Sequence, residues 1–434
     1  MPARPHAAPR ARRFFVAAFA AVLVLAACAP APTADPTATS APTSALVTPV
    51  PAPTPSPSPA PTLSPEELEA LIAEIEASVA PVRQLQSTAE VPDRIVDEAG
   101  LRQDLERFIG ESATPEQYGA QARLGERLGF FPAGTDLAAV QLELLGDQVL
   151  GYYDDKTKEM AVVQRGGVFG PMERVTLAHE YTHALQDQQF GLDTLEREDL
   201  SNGDRSLART GLVEGDASLL TQQWALGNLT FEEVLELTKA ALDPEQMAVL
   251  ARVPRLISRQ LEFPYADGLQ FAARLFEQGG WAAVDAAYKD PPDSTEQIIH
   301  PEKYLVREAP VAVLAPVAPA DLGAGWTEGW SDTLGELGTS VWLEPTAGAR
   351  AAADAAAGWG GDRVVMLEGP DGAWLIAWQT AWDTPADAEA FADAAQAQAS
   401  ELGGPATVVH TPGSEEVLVV KASTDELLRV IPTP

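Results

Sequence analysis

Cysteine is almost missing from the 434 residues: Cys28 is the only one. That excludes an intrachain disulfide and any cysteine-based zinc or iron–sulfur site. Basic side chains are scarce too, 29 against 63 acidic, giving a formal charge of −34 and an isoelectric point near 4.4. Such a surface repels phosphate backbones and anionic headgroups, so nucleic acid is disfavoured as a partner. Long apolar runs are lacking. The uncharged stretch Phe14–Ala27 has 14 residues, too few to span a bilayer comfortably. Histidine occurs five times only, at positions 6, 179, 183, 300 and 410, so any histidine pattern carries information. What is plentiful is apolar content, 46%, enough for a core and incompatible with global disorder. The length suggests two or three domains.

The first 28 residues read as a targeting segment, with basic residues ending at Arg12-Arg13 and an apolar stretch behind them. It closes on Leu25-Ala26-Ala27-Cys28, which resembles the bacterial lipobox, whose cysteine is lipidated and becomes the new N-terminus. The resemblance implies an extracytoplasmic protein, lipid-anchored to the cell membrane through Cys28. Losing Arg4, Arg10, Arg12 and Arg13 with the leader would deepen the charge to −38. Residues 29–64 are a tether: 31 of the 36 are Pro, Ala, Thr or Ser, and eleven are proline. Proline at that density favours solvated polyproline II, with a reach of about 110 Å at about 3.1 Å per residue.

The folded part, an α+β chain dominated by helices, is expected from residue 65 onward. Ser64-Pro65-Glu66-Glu67 is a helix start, and Leu68, Leu71, Ile72 and Ile75 follow at helical spacing. Helical patterns recur at 101–109, 115–128 and 137–145. Val149–Tyr153 and Met160–Val163 flank a polar turn and predict a β-hairpin. A helix is expected from Met172 to Gln189, another from the break at 201–204 to Trp224, and more over 231–279 with an interruption at Glu262-Phe263-Pro264. Composition shifts toward Ala, Gly and Pro after Pro310. Residues 311–434 read as a small C-terminal α+β module beside a main domain over 65–310, with a hairpin about 369–372, a helix opening at Thr384 and a last strand pair.

His179-Glu180-Tyr181-Thr182-His183 is an HExxH pattern. Four-residue spacing puts both imidazoles on one helix face, where they can share a tetrahedral cation. Glu180 lies about 100° around the helix, able to reach a water rather than the metal. The metzincin pattern would need Gly and His where Gln186 and Gln189 stand. A third ligand is therefore sought elsewhere. Glu214 is the first candidate, in a predicted helix where Gly211 and Gly215 would let that helix approach the first closely, and Asp216 is the next. His300 and Tyr304 are candidates to stabilise an oxyanion, although a lone histidine is as often structural.

With Glu214 as third ligand the chain resembles the gluzincins, HExxH peptidases whose last metal ligand is a glutamate on a following helix. More narrowly, Gly151–Asp154, His179–Gln188, Glu214–Ala217 and Ser294–Tyr304 are similar to a family of metallopeptidase-like bacterial and archaeal proteins, many secreted or lipidated. The resemblance covers 91–382. It implies a zincin-like core with the hairpin beside the HExxH helix, and Zn2+ held by His179, His183 and Glu214. The best-known gluzincins carry an aspartate four residues after the glutamate, where this chain has Ser218. The carboxylate that should orient a histidine ligand is thus unassigned, with Asp216 and Asp187 as candidates.

The expected activity is zinc-dependent hydrolysis of peptide bonds in a peptide or protein substrate, with Glu180 as general base. The competing expectation is a non-catalytic surface lipoprotein whose zincin-like fold serves binding or structure. Oligomeric state is not readable.

Overall fold

The computed structural model of the chain describes residues 15–18, 64–163, 169–195, 201–241 and 252–430. Cys28 and residues 29–63 of the tether lie outside the described residues, and the lipid-anchor expectation falls there.

Helix α1 (Pro65–Arg83) opens on a reciprocal cap: Glu67 N–H donates to Ser64 Oγ, and Ser64 N–H to the Glu67 carboxylate. Its buried stripe, Leu68, Ile72, Ile75 and Val79, has helical spacing and enters the main core. Strand β2 (Asp93–Val96) follows, then α2 (Glu98–Ser112), α3 (Pro115–Leu128) and α4 (Leu137–Gln148). The expected hairpin is β3 (Val149–Asp154) with β4 (Glu159–Val163), paired antiparallel with Tyr152 opposite Ala161. A first sheet has the order β1-β3-β4-β2, where β1 is Phe15–Ala18 and runs antiparallel along the outer edge of β3. Both faces of the hairpin are covered, so its apolar run is nearly continuous. Tyr153 and Val162 point into the main core, while Tyr152 and Ala161 pack toward α2.

The helical layer continues with α5 (Pro171–Phe190), α6 (Gly203–Asn228), α7 (Phe231–Ala241), α8 (Arg255–Gly279), α9 (Trp281–Ala287), α10 (Thr295–Ile299) and α11 (Pro301–Leu305). Two expectations are corrected. The chain does not break at 262–264, because α8 runs straight through Pro264. The carbonyl deprived of its N–H partner belongs to exposed Gln260, and buried Phe263 and Tyr265 hold the helix in place on either side. The glycines of α6 do not face the HExxH helix either. They face α8: a β-carbon on Gly215 would stand 2.1 Å from the Gly268 carbonyl oxygen, and one on Gly268 would stand 2.3 Å from that of Gly211. Two helix backbones touch here, as only glycine allows.

The C-terminal sheet has the order β5-β6-β7-β9-β8, antiparallel throughout, from Thr327–Asp332, Trp359–Glu368, Trp374–Trp382, Glu416–Ala422 and Ala406–His410. Helices α12 (Gly335–Ala347), α13 (Ala349–Ala356) and α14 (Pro385–Leu402) cover one face around Trp342, Trp378 and Phe391. Leu124 and Leu128 of α3 belong to that same core, and Trp342 Nε1 donates to the Leu128 carbonyl at 2.9 Å. A boundary at residue 311 therefore divides the chain but not the packing. The parts also meet through hydrogen bonds: Gly203 N donates to Asp332 of β5 at 2.7 Å, and Leu337 N donates to Thr295 Oγ1 at 3.3 Å. Each part holds a buried carboxylate. Asp204 of α6 accepts from Thr295 N and Oγ1, and Asp362 of β6 accepts from Leu334 N, Gly335 N and Trp359 Nε1. No helix among the described residues is long and apolar enough to cross a membrane.

Two outcomes are expected. Gly215→Ala should cost about 1–3 kcal/mol by overpacking, read as a lowered midpoint in denaturant, since no flexible side chain can yield. Burial pushes the Asp204 carboxyl up to about 8, and that of Asp362 to about 6. The folded state then holds protons that the unfolded state releases near pH 4, so the contribution of these two groups is fully present below that value and is lost as pH rises through about 6 and about 8. Asp204→Asn should flatten that slope in melting curves taken from pH 5 to 9. An unchanged slope would remove Asp204 as its source.

Candidate metal centre

Helix α5 starts at Gly170, whose N–H donates to the Glu173 carboxylate, and it is buried on all sides from Val175 to Asp187. A helix buried all round must find partners for every polar side chain it carries. His179, Glu180 and His183 are wholly buried. The two imidazoles stand edge to face, centroids 4.7 Å apart, and both turn Nε2 toward α6. There Glu214 Oε2 lies 3.1 Å from His179 Nε2 and 3.4 Å from His183 Nε2. Ligand atoms of these three residues all lie within 4.8 Å of one another. Tetrahedral bonds of about 2.0–2.1 Å would separate neighbouring ligand atoms by about 3.3 Å. The donor set thus has the chemistry and spacing to hold a divalent cation.

The far sides of the rings are tied down. Thr221 Oγ1 donates to the Ala217 carbonyl at 2.7 Å, so it accepts from His179 Nδ1 at 3.2 Å. Gln186 Nε2 donates to the Val213 carbonyl and to Asp216, which leaves its Oε1 to accept from His183 Nδ1 at 2.8 Å. Each Nδ1 carries a hydrogen by this bonding logic, so that each ring, when neutral, directs its Nε2 lone pair to the point shared with Glu214. Burial pulls the Glu214 carboxyl upward, but the facing histidines hold it down to about 2. Burial likewise lowers His183, and the Glu214 charge overrides it, raising the ring to about 9. His179 goes down, because burial wins there. The three ligand atoms together call for a positive charge between them.

Asp216 and Asp187 have other tasks than touching a histidine. Asp216 receives Arg83 Nε at 2.7 Å and Nη2 at 3.0 Å, Tyr288 Oη at 2.7 Å and Gln186 Nε2 at 2.9 Å. It reaches His183 only through Gln186. Asp187 accepts from Tyr153 Oη, Lys158 Nζ and Leu192 N, pinning α5 to the hairpin. Tyr152 Oη is engaged with Asp104 and Arg94, so both tyrosines of the hairpin serve packing.

His300 and Tyr304, expected to face a substrate carbonyl, are engaged elsewhere. His300 Nε2 stands 3.0 Å from Glu336 Oε1 where α10 meets α12, and that carboxylate raises its pKa. Tyr304 Oη donates to the Asp290 carbonyl at 2.8 Å, with its ring edge-on to Phe271. The aromatic residue actually beside the site is Tyr265 of α8, its ring centroid 6.1 Å from that of His179. It shares a cavity lining with Glu214. Nothing in the local pattern around Pro264 announces this, since it arises from the glycine contact that lays α8 on α6.

A family model described as a domain of unknown function (DUF8575) matches residues 325–431, which is the C-terminal sheet with its helices. No curated protein and no solved structure matches the chain. The comparisons therefore bear on the sheet module and not on the helices that carry the His–Glu cluster.

Removing Asp216 takes the bidentate partner from the fully buried Arg83 and leaves it, among the described residues, only Asp285, whose Oδ1 lies 2.7 Å from Nη2. Asp216→Ala should cost about 3–5 kcal/mol of stability, measured by chemical denaturation. A loss under about 1 kcal/mol would mean that the existing Asp285 pair alone suffices for Arg83.

Proposed function

We propose that the protein is a zinc-dependent peptidase, acting outside the cytoplasm from a lipid anchor at Cys28. One observation carries the catalytic part: two imidazoles and a carboxylate converge from α5 and α6, with Glu180 one residue from the first ligand on the same buried helix. The resemblance of HExxH and the Glu214 segment to gluzincins supports the same reading.

His179, His183 and Glu214 would hold the ion. Bound zinc would supply Lewis acidity, making water a nucleophile near neutral pH and polarising a substrate carbonyl. Glu180 takes the proton from the attacking water and returns it to the leaving amine. It lies against the hairpin: a β-carbon built on Gly151 would stand 3.4 Å from Glu180 Cγ and 2.8 Å from Thr176 Cγ2. Tyr265, its ring centroid 6.1 Å from that of His179, is the candidate for the oxyanion role expected of His300 or Tyr304. The outer edge of β3 takes an extended chain antiparallel, as Phe15–Ala18 lies on it with Ala17 opposite Gly151. Once a leader is removed, that edge offers backbone hydrogen bonds to a peptide beside Glu180.

The test separates ligand from base. Glu214→Ala and His183→Ala should each lose zinc from the purified full chain, measured by chelator competition. Glu180→Gln should keep zinc and lose about 10²–10⁴ in peptide turnover. Full zinc occupancy with no cleavage of any library peptide would favour the non-catalytic binding module instead. Wild-type zinc affinity in Glu214→Ala would refute the ligand set.

A further inference from the structure

We propose that a cavity at the junction of helices and sheet binds a small organic ammonium ion, a primary amine or diamine of a few carbons. The cavity has a volume of about 190 Å³, and α3, α4, α6, α8, β5 and α12 all contribute to its walls. No member of the His–Glu cluster lines it, so the site lies beyond the peptidase reading and does not depend on it. Asp204 and Asp332 are the only ionisable acids or bases in the lining. Asp204 is 3% exposed. Its Oδ1 accepts both donors of Thr295, while its Oδ2 has no hydrogen-bond partner. A buried acceptor without a donor is costly, and the cavity that Asp204 lines is where a donor can be seated. Asp332 Oδ1 accepts from Gly203 N at 2.7 Å and Thr333 N at 2.8 Å, which holds the second carboxylate beside the start of α6. Burial pushes Asp332 up to about 7, as it pushes Asp204 to about 8, and the charge of Asp362 acts on both in the same direction.

The lining decides which cation belongs there. Calcium takes about six to eight oxygen ligands, and neither metal-spaced group among the described residues includes Asp204 or Asp332. An ammonium head asks for acceptors only, with no coordination sphere to complete. Phe130, Phe131 and Trp330 line the same space, and aromatic rings attract a desolvated ammonium. The side-chain amides of Gln121, Gln141 and Gln260 add neutral acceptors. An anion would meet two acids and no base, and a neutral alcohol would answer neither charge. Two carboxylates in one cavity favour a diamine over a monoamine. Among the described residues no cation pairs with Asp204 or Asp332, in a chain with 63 acids and 29 bases, so the counter-charge comes from outside.

The experiment is calorimetric titration of the purified full chain at about 0.15 M salt, where loose attraction to an acidic surface is screened. The probes are 1,4-diaminobutane, 1-aminobutane, 1-butanol and calcium chloride. The diamine should bind at a single site and raise the melting midpoint as its concentration rises. The monoamine should bind more weakly and butanol not at all. Asp204→Asn and Asp332→Asn keep an oxygen for the existing donors, and each should weaken the diamine by about 10- to 100-fold. Gln121→Lys brings a tethered ammonium into the lining and should abolish binding, with the circular dichroism spectrum unchanged. Diamine binding unmoved by all three variants would put the ligand elsewhere on the acidic surface and overturn the proposal. Absence of binding by either amine overturns it as well. Tighter binding of calcium than of the diamine, lost in the same variants, would make this a metal site and overturn the organic cation. Butanol binding as tightly as the diamine would overturn the role of charge.

Discussion

The carboxylate of Asp216, wholly buried, accepts from Arg83, Tyr288 and Gln186 at once. These partners come from the end of α1, the residue after α9, and α5, so one side chain of α6 fastens three other parts of the helical layer to itself. A lone ion in that position would be untenable, and the bidentate guanidinium with two further donors makes it tolerable. The carboxylate also fixes the Gln186 amide, and through it the orientation of the His183 ring. Packing order and site geometry thus share an anchor: whatever disturbs Asp216 acts on the bundle and on the His183 imidazole together.

A chain with less than half as many bases as acids must use its cations several times. Arg107 serves Asp104 and Asp154, and Arg83 serves Asp216 and Asp285. Lys303 is shared among Glu296, Glu308 and Asp383, a trio close enough to hold a metal and here held by an ammonium. Among the described residues no cation pairs with Asp204 or Asp362, which rely on backbone N–H groups, a hydroxyl and an indole. That division places the ionisable weak points at the junction between helices and sheet, away from the His–Glu cluster.

Local rules made part of this legible. Four-residue spacing on a helix puts His179 and His183 on one face whatever the rest of the chain does, and the cap at Ser64 is a contact between residues three apart. Two apolar runs on either side of a polar turn announced the hairpin at 149–163. Illegible were the facts decided by how helices meet. Whether Gly215 faces α5 or α8 is a matter of rotation about the α6 axis, which its own pattern leaves open because that helix is buried nearly all round. The identity of the groups behind the imidazoles, Thr221 and Gln186, follows from the same rotation. His300 and Tyr304 drew attention by residue type, yet type does not say which neighbour a short helix turns toward. Pro264 reads as a stop because propensity is local, while the packing that overrides it is not. Strands β2 and β5, four and six residues long, lacked the alternation that would have marked them.

The presence of Leu124 and Leu128 in the core of the C-terminal sheet has a consequence for how the chain matures. The indole–carbonyl bond from Trp342 to Leu128 spans 214 positions of sequence. As the polypeptide is made, α3 emerges long before any strand of that sheet, and its apolar side must wait uncovered until nearly all of the chain has followed. The molecule cannot finish its first half and then append its second. A segment recognisable by sequence as a unit, such as 325–431, therefore shares its core with a helix outside it, and a ribosome-bound intermediate that has made only one of the two leaves apolar surface for a chaperone to cover.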